Sequence, residues 1–600
     1  MFNRILLIAA FGAATLTNPH ACAAGTIIKR DAAQFLEFYN RAYQRLYTAN
    51  SEAQWKSVTD VTPEHTGQRI GADEAMASFC GNPYVIESAK IFLQSKDQLD
   101  DLSVRQLRAI LRRAAESPGT IPEVVTKRVA AEARQAAMMD SFEFKWQRPG
   151  STNVEPITAN QIDDLLGSST NLAERLVIWN ASKESGIALK PGLLELRDVR
   201  NRVAREMGHS SFFALQVSAF DMSSAEMRQL LDQLTQDLRP LYLQLHCWAR
   251  YELAKKYNQP VPKLIPAHWL NNRWSQEWPG LVEGVDLDPL MTNNSPEWIV
   301  KQAVNYGESL GFPKVPASFW MKSDLYELPP DTKRKKNTHA SAWHLDLEQD
   351  VRSLQNIRSD YGWFATAHHE LGHVFYQLAY VRPEVPYILR DGASPAMHEA
   401  MAETLAVSPG QLPYLRQTGV VPADMKFDDT QWLLNLALDQ VVFIPWSAGV
   451  MGAWEHDFYE DNLSADELNQ RWWDYVAKYQ GVAPPESRGE EFCDAATKTH
   501  INDDPAQYYK YSIAFAIKWQ LHMHICKNIL KQDPHNANYY GNKEAGEFLL
   551  KIMRPGATRD WRALVKEATG EELSAKPMLE YFQPLMAWLQ EQNKGRDVGW

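Results

Sequence analysis

Residues 361–379 read YGWFATAHHELGHVFYQLA. Apolar and aromatic side chains recur through this stretch at steps of three and four, the period of an α-helix with one buried face. On the same helix lies His369-Glu370-Leu371-Gly372-His373, an H-E-x-x-H pattern. Residues four apart share a helix face about 6 Å from one another, so two imidazoles can reach one ion. Glu370 projects about 100° away, where a carboxylate can take the proton of an attacking water. His368 lies off the shared face and reads as a structural histidine.

A catalytic zinc takes three protein ligands and keeps a fourth position open. No further histidine follows shortly after a glycine to supply the third. Instead, the segment Ser394-Pro395-Ala396-Met397-His398-Glu399-Ala400-Met401-Ala402-Glu403 opens a second helix. Ser394 suits the cap and Pro395 the first helical position. Glu399 and Glu403 then share one face, a turn apart. That spacing nominates Glu399 as the third ligand and Glu403 as the acceptor that orients a ligand imidazole. Alone, the pair is equally the solvated face of an ordinary helix.

The helical period also runs through residues 33–49, where Phe35, Phe38, Tyr39, Tyr43 and Leu46 recur, and through 102–116, 224–257, 431–442 and 511–530. Strand signals are few, and residues 317–328 and 339–347 are expected to pair as a small hairpin. The fold class expected is therefore mainly α with a small β element. The charge run Lys333-Arg334-Lys335-Lys336 reads as a solvated loop. At 600 residues the chain would divide into about four domains, yet no repeat or long linker marks a boundary. A 45% apolar content excludes wholesale disorder, and a net charge of −12 argues against a dedicated nucleic-acid binder.

The N-terminus reads as a leader. Arg4 gives a positive start, residues 5–16 an apolar run, and Ala21-Cys22-Ala23 a small-residue cleavage signature. The run is too short to span a bilayer. Pro19-His20-Ala21 lacks the Leu expected ahead of a lipidated Cys22, which disfavours a lipoprotein anchor. The reading is a signal peptide over 1–23 and a secreted or periplasmic chain over 24–600. Loss of Arg4 with the leader takes the net charge from −12 to −13. No transmembrane segment is expected downstream, because the most apolar run, 441–454, is broken by Pro445 and Ser447. Cys80, Cys247, Cys493 and Cys526 are too sparse for a disulfide framework, although an oxidising compartment would allow one pair to close.

The pair HHELGH and RDGASPAMHEA resembles the angiotensin-converting enzyme family of peptidyl-dipeptidases. Further segments in the same order strengthen the resemblance: PAHWLNNRWSQEW at 266–278, THASAW at 338–343, WWDYVAKYQGVAPPESR at 472–488 and KTHINDDPAQYYKYSIAF at 498–515. One H-E-x-x-H implies a single-site, bacterial-like form. The resemblance implies a helical metallopeptidase domain with two lobes around a deep cleft, acting on oligopeptides. It implies zinc on His369, His373 and Glu399, with Glu370 as general base and proton shuttle. His500 and Tyr511 match the oxyanion donors, and His339 with the Ala340 backbone a substrate-aligning strand. Gln276, Lys498 and Tyr508 match the trio that grips a C-terminal carboxylate, and Phe443 and Phe515 the pocket for the last side chain. Taken singly, each of these has an ordinary core or surface reading.

This chain also departs from the family pattern. The segment between the histidines and Glu399 is two residues longer, and that from His500 to Tyr508 one residue longer. Val476 and Lys510 stand where members place arginines associated with bound chloride, which argues against the first chloride site and weakens the second. Thr338 replaces one expected cysteine, and Ala537 offers Cys526 no partner. Because the implied site runs from Gln276 to Tyr511, the length is better read as one large domain than as four. Three rivals remain open. A carboxypeptidase relative would place Arg at Gln276, with Arg273 only three positions away. The others are an endo-acting zinc oligopeptidase and an inactive peptide-binding scaffold, the latter disfavoured by an intact Glu370.

Overall fold

The computed structural model describes residues 19–284 and 286–600. The expected leader therefore lies outside the described residues as far as residue 18. The described chain is mainly α. Helix α1 (Pro19–Thr59) turns into α2 (Pro63–Cys80), where the Thr62 side chain accepts from the His65 N–H at 3.1 Å. Both pack near α3 (Asp101–Ala114), which buries Leu107, Ile110 and Leu111. The long helix α4 (Ser224–Tyr257) opens on a capping box in which Ser223 and Glu226 satisfy each other's backbone N–H groups. A contiguous apolar cluster extends from Leu36 to Leu589 and ties the first helices to the last.

The β element differs from the expected hairpin. Residues 317–322 are helical, leaving only β1 (Asp324–Tyr326) of the first proposed strand. The second strand is β2 (Ser341–His344), so His339 and Ala340 precede it. These two strands do not pair with each other. Between them lies β3 (Val351–Ile357), parallel to β1 and antiparallel to β2. The sequence VRSLQNI hides this strand because Arg352, Ser353 and Gln355 are buried along with its apolar residues, which erases the alternation. The charge run beside it is only partly solvated. The Lys336 side chain is buried and bonds Asp324 Oδ1 at 2.9 Å and the Gln355 carbonyl at 2.7 Å, pinning that loop to the sheet.

Immediately after the sheet comes α5 (Tyr361–Ala379), capped by Asp360, whose side chain accepts from the Trp363 N–H at 2.7 Å. Its buried face carries Phe364, Leu371, Val374 and Phe375, worth about 1.5–3 kcal/mol each. That face fixes the rotation of the helix and so the direction of its histidines. His368 bonds the Phe364 carbonyl at 2.8 Å and the Tyr414 hydroxyl at 3.3 Å, a structural role. Helix α6 (Pro395–Val407) begins as its sequence indicates, with Ser394 accepting from the Met397 N–H at 3.3 Å. Beyond α7 (Asp429–Ile444), α8 (Tyr509–His524) packs on α6, and α6 on α5. The run Asp429–Tyr459 is long and apolar enough to cross a membrane, but 72% of its most apolar window is buried within the protein.

Gly372 decides how closely α5 and α6 approach. A Cβ there would stand 2.6 Å from the Ala402 Cα, a backbone atom with no freedom to yield. Alanine would favour the helix by about 1 kcal/mol, but overpacking of this kind costs about 1–3 kcal/mol, so the clash dominates. Gly372→Ala is therefore expected to lower the thermal unfolding midpoint of the metal-free protein. A midpoint at or above that of the wild type would show that the two helices separate freely.

Candidate active site

The α5–α6 contact brings three candidate ligand atoms together. His369 Nε2 and His373 Nε2 lie 3.2 Å apart. Glu399 places Oε1 3.5 Å from His369 Nε2 and Oε2 3.8 Å from His373 Nε2. A tetrahedral zinc with bonds near 2.0–2.1 Å needs ligand atoms roughly 3.3 Å apart, so the donor set fits this ion in chemistry and in spacing. Glu370 stands beside it, buried, with Oε2 lacking any hydrogen-bond partner. Burial, reinforced by the Glu399 charge and opposed by His369, pushes its carboxyl up to about 7. A buried carboxylate oxygen without a partner marks the place of a missing proton donor.

Glu403 occupies the expected position, with Oε1 3.4 Å from His369 Nδ1. Its other oxygen accepts from Lys518 Nζ at 2.8 Å. Burial alone would raise this carboxyl, but the charges of Lys518 and His369 outweigh it and hold the group below its usual range. Lys518 also donates to Gln440 Oε1 at 2.9 Å. This lysine went unread, although a lone cation within the apolar face of α8 signals a buried counter-charge. His398 was also unread. Its Nδ1 lies 2.8 Å from Nδ1 of His373.

Most of the other expected residues converge. Lys498 Nζ donates to Gln276 Oε1 at 2.7 Å and lies 4.9 Å from the centre of the Tyr508 ring. Burial drives its ammonium down to about 8, partly opposed by Glu277. The Tyr508 ring meets those of His500 at 4.7 Å, Tyr511 at 5.4 Å and Phe443 at 5.6 Å, and Phe443 meets Phe515 at 5.6 Å. Burial holds His500 down at about 4, so its imidazole is neutral, with Nδ1 buried and unpartnered. Burial also raises the Tyr511 phenol, and the Glu399 charge adds to this. His339 is not gathered in: it is exposed, and its backbone N–H donates to Asn337 Oδ1 at 2.9 Å.

The family model Peptidase M2, described as angiotensin-converting enzyme, matches residues 27–600. The chain belongs to the angiotensin-converting enzyme family. It is 30% identical over 593 residues to an angiotensin-converting enzyme of Theromyzon tessulatum, covering 95% of this chain and 93% of that one. It is 30% identical to the Sus scrofa enzyme and 28% identical to the Rattus norvegicus enzyme, again over 95% of this chain. It spans 44% of the length of those two, under half. Membership places the chain in a family of metallopeptidases, and the family's zinc suits the His369, His373 and Glu399 cluster.

Two family-associated positions differ locally. Val476 lines a cavity of about 10 Å³ with Lys183, Trp274 and Trp446, about the least space that holds one water. Lys510 pairs with Asp504 at 3.3 Å. Cys80, Cys247, Cys493 and Cys526 are all free and buried.

The Lys518–Glu403–His369 chain predicts a measurable effect on metal retention. Removing Glu403 as Glu403→Ala should weaken zinc binding about 10–100-fold, read by competition with a chelator. Zinc affinity unchanged in a folded variant would remove Glu403 from any role in orienting His369.

Proposed function

We propose that this metallopeptidase is a zinc peptidyl-dipeptidase, releasing dipeptides from the free C-terminus of oligopeptides. Lys498 carries the reading. Its ammonium is buried, bonds the neutral Gln276 side chain, and forms no ion pair among the described residues. Glu277 opposes the burial from beyond ion-pair contact. A buried cation without a paired counter-charge is costly, and a peptide's terminal carboxylate would supply one. Lys498 and Gln276, with the Tyr508 hydroxyl, then form a charged clamp. Phe443 and Phe515 offer the last side chain an apolar wall, and His339 with the Ala340 backbone, at the entry to β2, would align the peptide.

When bound, zinc supplies a Lewis acid that polarises the scissile carbonyl and acidifies water. Glu370 accepts the proton of the attacking water and passes it to the departing amine. His500, neutral, and Tyr511, un-ionised, donate hydrogen bonds to the carbonyl oxygen as it gains charge. The clamp fixes the end of the peptide, so cleavage falls a set distance from it. Arg273, the residue that would suit a carboxypeptidase, is engaged elsewhere: Nε lies 2.8 Å from Asp163 Oδ1 and the guanidinium 4.6 Å from the Trp274 ring. Gln276 meets Lys498 instead, which favours dipeptide release. The constricted cavity at Val476 and the pairing of Lys510 support an enzyme with little need of chloride. The leader at 1–23 supports export and a secreted or periplasmic location.

Lys498→Ala tests the reading. Against a free-acid peptide, kcat/KM should fall about 10–150-fold, the worth of one hydrogen bond to a charged group. The same peptide with an amidated C-terminus should be cut slowly, and equally so, by wild type and variant. Amide and acid cut equally well by the wild type would instead indicate an endo-oligopeptidase.

Lys498 also sets an alkaline limit. Its folded pKa is depressed, so the cation is lost as pH rises through about 8. KM for free-acid peptides should rise there, while KM for amidated peptides stays flat. A flat free-acid KM across that range would place the carboxylate elsewhere.

A further inference from the structure

His398 lies one residue before the ligand Glu399, at the start of α6, with Nδ1 2.8 Å from Nδ1 of His373. A hydrogen bond between two ring nitrogens needs one N–H and one lone pair. Which ring carries the proton follows from the opposite edge of His373. Its Nε2 joins the ligand cluster, 3.2 Å from His369 Nε2 and 3.8 Å from Glu399 Oε2. A nitrogen that binds a cation must present its lone pair there. The proton of neutral His373 therefore sits on Nδ1 and points at His398, where the ring Nδ1 at 2.8 Å and the backbone carbonyl both offer lone pairs. Where the ring accepts, its own proton sits on Nε2.

We infer that His398 is a positioning residue for the metal: it fixes the tautomer and ring orientation of His373, the counterpart of the role proposed for Glu403 at His369. The acceptor is itself held in place. Tyr376 stacks on its ring at 4.8 Å and 30°, and Tyr380 meets it edge-on at 6.5 Å. Behind it, a Cβ at Gly392 would stand 3.1 Å from the His398 Cβ, so a small residue there leaves room for the ring's attachment. His398 also lines a cavity of about 660 Å³ together with Arg113 and Asp391, and its Nε2 bonds no protein acceptor among the described residues.

The two ligand histidines thus lean on different acceptors. His369 faces a carboxylate, itself neutralised by Lys518 at 2.8 Å, and His373 faces an uncharged ring. An uncharged acceptor holds the tautomer without adding another negative charge to a centre that already gathers Glu370, Glu399 and Glu403. Partners of this kind are worth about 10–100-fold in metal affinity.

The inference rests on the zinc-binding reading, and the test separates the two. His398→Phe keeps a ring of similar size without an acceptor, and His398→Asn offers a side-chain oxygen as a replacement acceptor. Zinc dissociation constants are measured by chelator competition. Visible absorption spectra of the cobalt(II)-substituted proteins report ligand geometry, and thermal unfolding of the metal-free forms reports folding. His398→Phe should bind zinc about 10–100-fold more weakly and shift the cobalt spectrum, while His398→Asn recovers most of both. Two variants that match the wild type, or two that weaken equally in proportion to lost stability, would overturn the inference alone. A wild type that binds no zinc would overturn it together with the zinc reading.

Discussion

The close contact between α5 and α6 at Gly372 and Ala402 is the constraint on which the site depends. Two histidines on one helix turn can converge by themselves, but Glu399 comes from another helix 26 residues further along the chain. It reaches them because no Cβ stands between Gly372 and the Ala402 Cα. Both helices are then held from behind, α5 by its apolar face and α6 by α8. Since α8 carries Tyr511, Phe515 and Lys518, the same stack that assembles the candidate ligands also delivers the proposed oxyanion donor, part of the proposed side-chain pocket and the cation behind Glu403.

The electrostatics of the site are those of incomplete pairing. Lys518 and Glu403 satisfy each other. Glu370 and Lys498 have no such contact partners among the described residues: one is a buried acid with a bare oxygen, the other a buried cation against an amide and aromatic rings, with Glu277 acting on it only from beyond ion-pair distance. Charges left uncompensated in a protein interior cost several kcal/mol unless something arrives to neutralise them. On the proposed function, a dication beside Glu370 and a peptide carboxylate at Lys498 would be the complements these groups lack.

Much of this was legible in the sequence, for reasons that are local. The H-E-x-x-H turn, the Ser394 cap and the periods of α4 and α5 involve residues within a few positions of one another. The order of the sequence blocks brought in Lys498, His500 and Tyr511, whose single-residue readings were indifferent. What escaped depends on distant contacts. Lys518 meets Glu403 across 115 positions, and only a lone cation in an apolar helix hinted at it. His398 lies within the α6 motif, but a histidine before a candidate ligand has no periodicity to announce its partner. Strand β3 was missed because its buried face includes Ser353 and Gln355, which resemble loop residues when burial is unknown. The expected hairpin failed for the same reason, since its central strand had not been seen.

The central claim is that the metal triad and the Lys498 clamp act on one peptide at a fixed spacing. Mass spectrometry of products from a set of free-acid peptides, with and without a zinc chelator, tests it most directly. The account predicts successive loss of C-terminal dipeptides that stops with chelator and resumes when zinc is restored. Release of single amino acids, internal cleavage indifferent to the C-terminus, or dipeptide release that persists after zinc is removed would contradict it.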